Sequence, residues 1–168
     1  GVYQQYNVKT AVKTIRQLSA FPVSEKHIID GLLHVVANTH LLGRWQVLQE
    51  SPKVICDTAH NKEGLTMVLH QLQKESYQNL HIVLGVVSDK RLEEILPLFP
   101  KDACYYFCKP NIPRGMSGDV LQEAAKEFGL HGELFTSVNQ ATTKAKNSAH
   151  KNDLIFVGGS TFVVAEVL

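Results

Sequence analysis

The sequence predicts an α/β protein: a Rossmann-like, mostly parallel sheet with helices on both faces, preceded by a short αα segment. Three observations predict it. From about residue 45 onward, short apolar runs alternate with segments whose apolar residues recur at helical spacing. The connections between these segments are only a few residues long, as in βαβ units. Residues 81–87 form a nearly unbroken apolar run, which is typical of a strand covered on both faces.

The first forty residues carry a different pattern, that of two helices. Apolar residues recur at helical spacing over residues 4–18, and Pro22 ends this helix because proline disfavours helical geometry in the residue before it. Ser24 is a typical N-cap residue, and the apolar positions after it predict a second helix. We therefore divide the chain into a helical segment, 1–40, and an α/β domain, 41–168.

Within the α/β domain, each apolar run predicts one strand and each amphipathic segment one helix. The predicted strands are residues 45–48, 53–57, 81–87, 103–108, 133–136 and 153–157. The predicted helices are residues 64–74, 91–99, 119–128 and 138–150. Right-handed crossovers between parallel strands should place these helices on both faces of the sheet.

The composition is that of a soluble globular protein. The 168 residues are 44% hydrophobic and 20% charged, and 17 basic against 16 acidic residues leave a net charge of +1. Because there is neither a basic excess nor a basic run, we expect no nucleic-acid partner. We see no signal peptide, and no apolar stretch approaches the roughly 20 residues that span a bilayer. We therefore expect no membrane partner and a cytoplasmic location.

The three cysteines, Cys56, Cys104 and Cys108, indicate a reducing compartment, because their number is odd and their spacing does not suggest disulfides. Cys104 and Cys108 lie four residues apart in one predicted strand and should share a face. No second Cys or His pair has a spacing that would complete a zinc site, so we expect no metal site in this chain. We predict that these cysteines are buried packing residues.

Polar residues follow four of the predicted strands, at the edge where Rossmann-like sheets bind their ligands. Asp57 and His60 follow one strand, whereas the other three strands are followed by Lys90, Arg114 and Ser160. The cationic side chains and the histidine are donors suited to an anion. Ser160 comes after two glycines at the predicted start of a helix, whose N-terminus favours a carboxylate or phosphate. This set predicts a site for a small anionic substrate and a nucleotide.

Each of these residues also has an ordinary structural interpretation. Asp57 could cap the helix that follows its strand, and the cationic side chains could be solvated loop charges. The sequence contains no G-x-x-x-x-G-K-[ST], the loop that wraps a triphosphate, and no G-x-G-x-x-G after the first strand. The residue types alone therefore predict only an α/β domain that binds a small anionic ligand.

Several short motifs, in order along essentially the whole chain, resemble those of the folylpolyglutamate synthases and bifunctional dihydrofolate synthases, which are ATP-dependent ligases related to the Mur ligases. The most specific is Asp57-Thr58-Ala59-His60-Asn61, which resembles the family's D-x-A-H-N and begins thirteen residues after Arg44 of a G-R-W motif. The other matching segments are Tyr3-Gln4-x-x-Asn7, Asp89-Lys90, Pro113-Arg114-Gly115 and Gly159-Ser160.

The resemblance implies a role for each matching residue. The implied catalytic residues are Asp57 and His60. The implied ATP contacts are Asn7, Arg44, Asp57 and His60. The implied contacts to the incoming L-glutamate are Lys90, Arg114 and Ser160. In this family the P-loop and the Mg²⁺ ligands lie on an N-terminal ATPase domain, which is the implied partner in cis. Residues 1–40 would then be the helical tail of that domain, and residues 41–168 the C-terminal ligase domain.

The implied reaction is the ATP-dependent addition of L-glutamate to folate, and to dihydropteroate in a bifunctional enzyme, through an acyl phosphate. The chain alone should be inactive because it lacks the P-loop. Two alternatives stay open: the C-terminal domain of a Mur cell-wall peptide ligase, and a non-enzymatic module that binds a nucleotide or an anion. The spacing of G-R-W and D-x-A-H-N favours the folate enzymes.

Overall fold

The computed structural model describes residues 1–168 and divides them into two compact units, residues 1–42 and residues 43–168. The first unit is helical, and the second is an α/β domain. Ile28 is the one fully buried apolar residue of the first unit. The hydrophobic core therefore belongs to the second unit.

The helices of the first unit are α1 (Gln4–Ile15), α2 (Glu25–Leu33) and α3 (Val35–Thr39). Ser24 caps α2 as predicted: its hydroxyl accepts from the amide of His27 at 3.2 Å, and its amide donates to Nδ1 of His27 at 3.3 Å. The predicted second helix is broken at His34, whose φ of −110° and ψ of 20° interrupt the helical backbone.

Several large apolar side chains of the first unit face solvent, which is unusual for a unit of this size. Among them are Phe21 at 65%, Ile29 at 55%, Leu33 at 74% and Val36 at 53%. Ile29 and Leu33 lie four residues apart on α2 and therefore share one face of that helix. Exposed apolar surface commonly marks an interaction site.

The second unit alternates strands and helices along the chain. Its strands are β1 (Gln46–Glu50), β2 (Lys53–Cys56), β3 (Leu80–Leu84), β4 (Cys104–Cys108), β5 (Gly132–Phe135) and β6 (Leu154–Gly158). Its helices are α4 (Lys62–Leu72), α5 (Leu92–Ile95), α6 (Gly118–Glu127), α7 (Val138–Ser148) and α8 (Thr161–Ala165). A short 3₁₀ helix, Leu96–Leu98, directly follows α5.

The six strands form one sheet in the order β1-β2-β6-β3-β4-β5. Every neighbouring pair is parallel except β1 and β2, which are antiparallel. The last strand, β6, lies in the middle of the sheet: Phe156 is paired with Ile55 on one side and with Ile82 on the other. The predicted α/β fold with a mostly parallel sheet is confirmed.

Helices cover both faces of this sheet. Buried residues of α7 and α8 pack with alternate strand residues in one cluster that includes Val54, Val83, Tyr106 and Ile155. The residues between them in sequence, such as Ile55 and Phe156, point to the opposite face, because successive side chains of a strand alternate. Right-handed crossovers place α4, α5 and α6 on that second face, and α4 buries Leu65 and Leu72 there.

The structure differs from the predicted elements in two places that matter for the site. The strand predicted over residues 81–87 ends at Leu84, and Val87 then forms an isolated antiparallel bridge with Gly115. The helix predicted over residues 91–99 is split, because Pro97 lacks the amide hydrogen that a continuous α-helix needs.

The cysteine prediction is confirmed for two of the three residues. Cys56 and Cys108 are buried, and burial raises the pKa of the Cys56 thiol to about 11 and that of the Cys108 thiol to about 12. Cys104 is exposed, so the prediction that it packs in the core was wrong. It is the first residue of β4, at the end of the strand that the core does not cover.

No helix in the structure combines the length and the apolar character needed to cross a bilayer.

Candidate functional site

The carboxyl ends of the parallel strands meet at one edge of the sheet, and the topology opens a crevice there. The chain leaves β6 towards the face covered by α7 and α8. It leaves the neighbouring strands β2 and β3 towards the other face, as their right-handed connections require. Rossmann-like sheets bind ligands where neighbouring connections diverge in this way.

Glycines make this edge unusually tight. Gly159 follows β6 with φ of +93°, a conformation that residues with a Cβ rarely adopt. A Cβ on Gly159 would lie 2.7 Å from the carbonyl oxygen of Gly85, just after β3. The two strand ends therefore approach each other more closely than side chains would permit, and Ser160 is brought beside the loop that follows β3.

A cleft of about 250 Å³ lies at this edge, and we call it the strand-end cleft. Four of the predicted site residues line it, together with four residues that were not predicted. Its lining is His60, Val87, Asp89, Lys90, Arg114, Ser160, Thr161 and Phe162. The loops after β2, β3, β4 and β6 each contribute at least one of these residues.

Backbone hydrogen bonds hold the loops after β3 and β4 together. The amide of Ser88 donates to the carbonyl of Arg114 at 2.9 Å, and the amide of Met116 donates to the carbonyl of Val86 at 3.0 Å. A turn in which the amide of Lys90 donates to the carbonyl of Val87 at 3.2 Å then places Lys90 in the cleft. The two cationic side chains are thus carried on one connected piece of backbone.

Arg114 is held by two neighbours in the cleft. Its guanidinium carbon lies 4.9 Å from the centre of the Phe162 ring, within the range of a cation–π interaction. Its Nη1 lies 3.8 Å from Oδ2 of Asp89. Because the side chains of Arg114 and Asp89 are 57% and 61% exposed, this ion pair is loose and water reaches both charges.

His60 lies at the start of the connection from β2 to α4. Its Nδ1 is 2.9 Å from the carbonyl oxygen of Thr58. A carbonyl can only accept, so Nδ1 carries the hydrogen and, in the neutral ring, Nε2 is the acceptor. The next residue, Asn61, caps α4 by accepting from the amide of Gly64 at 3.0 Å.

Asp57 is fully buried beneath this loop. Its Oδ2 accepts from the amide of Trp45 at 2.6 Å, and its Oδ1 accepts from the amide of Ala59 at 2.8 Å. Trp45 has φ of +52°, so the carboxylate holds an uncommon turn of the G-R-W segment. Both carboxylate oxygens of Asp57, a predicted catalytic residue, thus accept hydrogen bonds from backbone amides. This carboxylate does not line the strand-end cleft.

Ser160 is 2% exposed and caps α8, with its hydroxyl accepting from the amide of Phe162 at 3.2 Å. Arg44 is exposed and lies next to the turn that Asp57 holds, outside the lining of the strand-end cleft. Asn7 lies on α1 in the first unit, where its Nδ2 donates to Oε1 of Gln4 at 2.8 Å. The structure therefore brings together four of the seven predicted residues, His60, Lys90, Arg114 and Ser160.

Sequence reasoning missed Asp89 and Phe162 as site residues. Asp89 belongs to the D-K motif, so its position next to Lys90 was a usable signal. Phe162 gave no such signal, because it lies in α8, 48 residues after Arg114 in the sequence. The sheet order brings the segments after β4 and β6 together, because only β3 lies between these two strands.

The charges of the cleft suit a small anion. Lys90 and Arg114 supply two fixed positive charges, Asp89 supplies one negative charge, and His60 adds a polar ring. No group of three or more His, Cys, Asp or Glu residues in the chain is placed to hold a metal ion. The strand-end cleft therefore has an excess of positive charge, which is favourable for an anionic ligand.

Comparison with known proteins identifies the relatives of this chain. Residues 43–161 match the family described as Mur ligase, glutamate ligase domain. The chain is 35% identical over 168 residues to the dihydrofolate synthase/folylpolyglutamate synthase of Escherichia coli, a match that covers 98% of this chain and 37% of the relative. It is 32% identical to the "Probable bifunctional folylpolyglutamate synthase/dihydropteroate synthase" of Haloferax volcanii, a match that covers 99% of this chain and 19% of the relative. The chain thus spans less than two fifths of the length of these relatives.

Solved structures agree with this relationship. The fold matches E. coli FolC in complex with DHPP and ADP with a TM-score of 0.83 and 32% identity, over 97% of this chain and 38% of that one. It also matches a bifunctional folylpolyglutamate synthase/dihydrofolate synthase with Mn, AMPPNP and L-glutamate bound, with a TM-score of 0.73 and 28% identity, over 88% of this chain and 34% of that one. Since the family match covers well over half of the chain, the chain belongs to the Mur ligase, glutamate ligase domain family.

Proposed function

We propose that the chain is the C-terminal part of an ATP-dependent ligase that adds L-glutamate to folate, and to dihydropteroate if the parent is bifunctional. The observation that carries the proposal is the strand-end cleft, where His60, Lys90, Arg114 and Ser160 meet in a member of a glutamate ligase family. The relatives named as folylpolyglutamate and dihydrofolate synthases support the folate acceptor over a muropeptide.

In this proposal the strand-end cleft binds the incoming glutamate. Lys90 and Arg114 neutralise its carboxylates, and the backbone hydrogen bonds between their loops keep both residues at the same cleft. Arg114 can form two parallel hydrogen bonds with a carboxylate, whereas Lys90 acts as a point charge. Ser160 is buried and already caps α8, so its hydroxyl contributes a hydrogen bond from a rigid position.

Three of the four proposed ATP contacts, Arg44, Asp57 and His60, belong to the second unit, and of these only His60 lines the strand-end cleft. Arg44 reaches the triphosphate, and His60 presents a hydrogen-bonding ring nitrogen beside it. Asn7 makes a further contact from α1. Asp57 acts indirectly, because its carboxylate holds the backbone of Trp45 and Ala59 and so fixes the segments that carry Arg44 and His60.

The proposed reaction has two steps. A carboxylate of the folate substrate attacks the γ-phosphorus of ATP, which gives an acyl phosphate and ADP. The ammonium group of glutamate loses a proton to water, and the resulting amine attacks the acyl carbon. The nitrogen then loses a second proton and the C–O bond to phosphate breaks, which gives the amide and inorganic phosphate. Negative charge is redistributed over phosphate oxygens in the first step, so fixed cations such as Arg44 stabilise its transition state.

The P-loop and the Mg²⁺ ligands are proposed to lie elsewhere in the parent protein. The chain contains no G-x-x-x-x-G-K-[ST] and no group of three or more His, Cys, Asp or Glu residues placed to hold a metal ion. Residues 1–40 are proposed to be the helical tail of that ATPase domain, and the exposed apolar side chains of the first unit support a partner surface there. The ligase domain is then residues 41–168.

The test is the ATP-dependent incorporation of labelled L-glutamate into a reduced folate by the full-length protein. We expect incorporation to depend on ATP and folate and to produce one ADP per glutamate. Lys90→Ala should raise the KM for glutamate and leave the KM for ATP nearly unchanged. Lys126→Ala, on α6 away from the cleft, is the matched control. Glutamate-dependent ATP turnover by the 168-residue chain alone would contradict the proposal that the P-loop and the Mg²⁺ ligands lie elsewhere in the parent protein.

A further inference from the structure

We propose that Asp89 accepts the α-ammonium group of the incoming amino acid and thereby selects a zwitterionic substrate over a plain dicarboxylate. The inference rests on the proposed function, since it assumes that the strand-end cleft binds glutamate. It goes further by giving a role to Asp89, the one negatively charged residue of the cleft, to which the family resemblance assigns none.

The charge pattern of the cleft is the first argument. Free glutamate carries two carboxylates and one ammonium at neutral pH. The cleft carries two cations, Lys90 and Arg114, and one anion, Asp89. The charges of the cleft thus match those of glutamate in number and are opposite in sign. In a cleft that bound only carboxylates or phosphates, Asp89 would repel the ligand and lower its affinity.

The spacing of Arg114 and Asp89 is the second argument. In an amino acid the α-carboxylate and the α-ammonium are attached to the same carbon. A site for both needs a cation and an anion side by side, a few ångströms apart. Nη1 of Arg114 and Oδ2 of Asp89 lie 3.8 Å apart, which meets this requirement.

The weakness of the Arg114–Asp89 pair is the third argument. At 3.8 Å the two atoms are too far apart for a hydrogen bond, and both side chains are more than half exposed. Such a pair contributes little to stability, so a ligand separates it at small cost. Arg114 has a second support in the Phe162 ring at 4.9 Å, so Asp89 is not needed to hold it in the cleft.

The experiment compares two ligands that differ only at the α-carbon. L-Glutamate has the ammonium, and glutarate is the same dicarboxylate without it. In the full-length enzyme, the KM for L-glutamate and the inhibition constant of glutarate are measured for the wild type and for Asp89→Asn. We expect the KM for L-glutamate to rise at least about tenfold, because a charged hydrogen bond is lost. The inhibition constant of glutarate should change less than about twofold or should fall, since a nearby negative charge is removed.

Two further variants complete the experiment. Asp89→Glu keeps the carboxylate and should retain part of the preference for L-glutamate. Glu127→Gln makes the same charge change at an exposed position at the end of α6 and should leave both constants unchanged. Folding of each variant is checked by circular dichroism, and Asp89→Glu serves as the test if Asp89→Asn does not fold.

The outcomes separate this inference from the proposed function. If the wild-type enzyme does not ligate glutamate, the proposed function fails. If the wild type ligates glutamate, the comparison of the two ligands decides. An equal rise of the KM for L-glutamate and of the inhibition constant of glutarate in Asp89→Asn would mean that Asp89 acts only through Arg114, and the inference would be overturned. An unchanged KM for L-glutamate in Asp89→Asn would overturn it as well.

Discussion

The buried carboxylate of Asp57 accepts hydrogen bonds from two backbone amides that lie on different segments of the chain. One belongs to Trp45, which has a positive φ, and the other to Ala59, two residues before Asn61, the N-cap of α4. Replacing a side-chain oxygen that accepts hydrogen bonds from buried amides lowers the free energy of unfolding, because the amides are left without an acceptor.

We therefore expect Asp57→Asn to lower the free energy of unfolding by about 1–3 kcal/mol. The asparagine keeps one accepting oxygen but turns an NH₂ group towards the second amide. The measurement is urea denaturation followed by circular dichroism. Glu127→Gln is the control and should change stability by less than about 0.5 kcal/mol, as exposed substitutions do. A stability of Asp57→Asn equal to wild type would mean that the two amides have other partners.

The three thiols should differ sharply in reactivity. Burial raises the pKa of Cys56 to about 11 and that of Cys108 to about 12, so at pH 8 almost no thiolate is present at either. Cys104 is exposed. Ellman's reagent at pH 8 should therefore titrate one thiol in the native protein and three in guanidinium chloride. Cys104→Ser should abolish the native reaction, and a second fast thiol would show that the core opens.

The residue types at the site could be predicted from the sequence, but their functions could not all be separated. Lys90, Arg114 and Ser160 follow apolar runs, and in a parallel sheet that is enough to place them at one edge. Asp57 follows such a run as well, yet it is buried under the edge instead of lining it. The difference depends on where Trp45 turns, and a turn with a positive φ at a tryptophan has no signal in the sequence.

At the scale of secondary structure, the close approach of β3 and β6 decides the shape of the site. Gly159 has φ of +93°, and a Cβ there would lie 2.7 Å from the carbonyl oxygen of Gly85. We expect Gly159→Ala to destabilise the protein by about 1–3 kcal/mol and to raise the KM for glutamate in the full-length enzyme, because Ser160 would shift.

Gly31→Ala is the matched control for this substitution. Gly31 lies within α2, and a Cβ there would meet nothing within 4 Å. Replacing a helical glycine by alanine should stabilise the protein by about 0.5–1 kcal/mol. Thermal unfolding of the two variants should therefore shift in opposite directions, and a shift in the same direction would contradict the steric argument.

Strands and helices were predicted well where the pattern of apolar residues extends over many residues. The prediction was poor where pairing between segments distant in the sequence decides the structure. The strands and helices of the second unit lie within a few residues of the predicted ones. The predicted strand over residues 81–87 is cut short because Val87 pairs with Gly115. The antiparallel direction of β1 and the place of β6 in the sheet depend on tertiary pairing, which periodicity does not record.

At the scale of the whole molecule, the core is confined to residues 43–168, since Ile28 is the one fully buried apolar residue outside them. We expect residues 43–168 alone to fold, with a cooperative urea transition and a far-ultraviolet circular dichroism spectrum of α/β type. Residues 43–153, which lack β6 and α8, should not show such a transition, because β2 and β3 have no other strand between them. Cooperative unfolding of this shorter form would contradict the role given to β6.

The central position of β6 also has a consequence for biosynthesis. During translation β2 and β3 leave the ribosome long before β6 does, and neither can pair with the other at native spacing until that strand arrives. Between the emergence of β3 and that of β6 the nascent chain therefore carries two unsatisfied apolar strand edges, a state in which aggregation competes with folding. Truncation before β6 should therefore be far more damaging here than the loss of a strand at the rim of the sheet, such as β5.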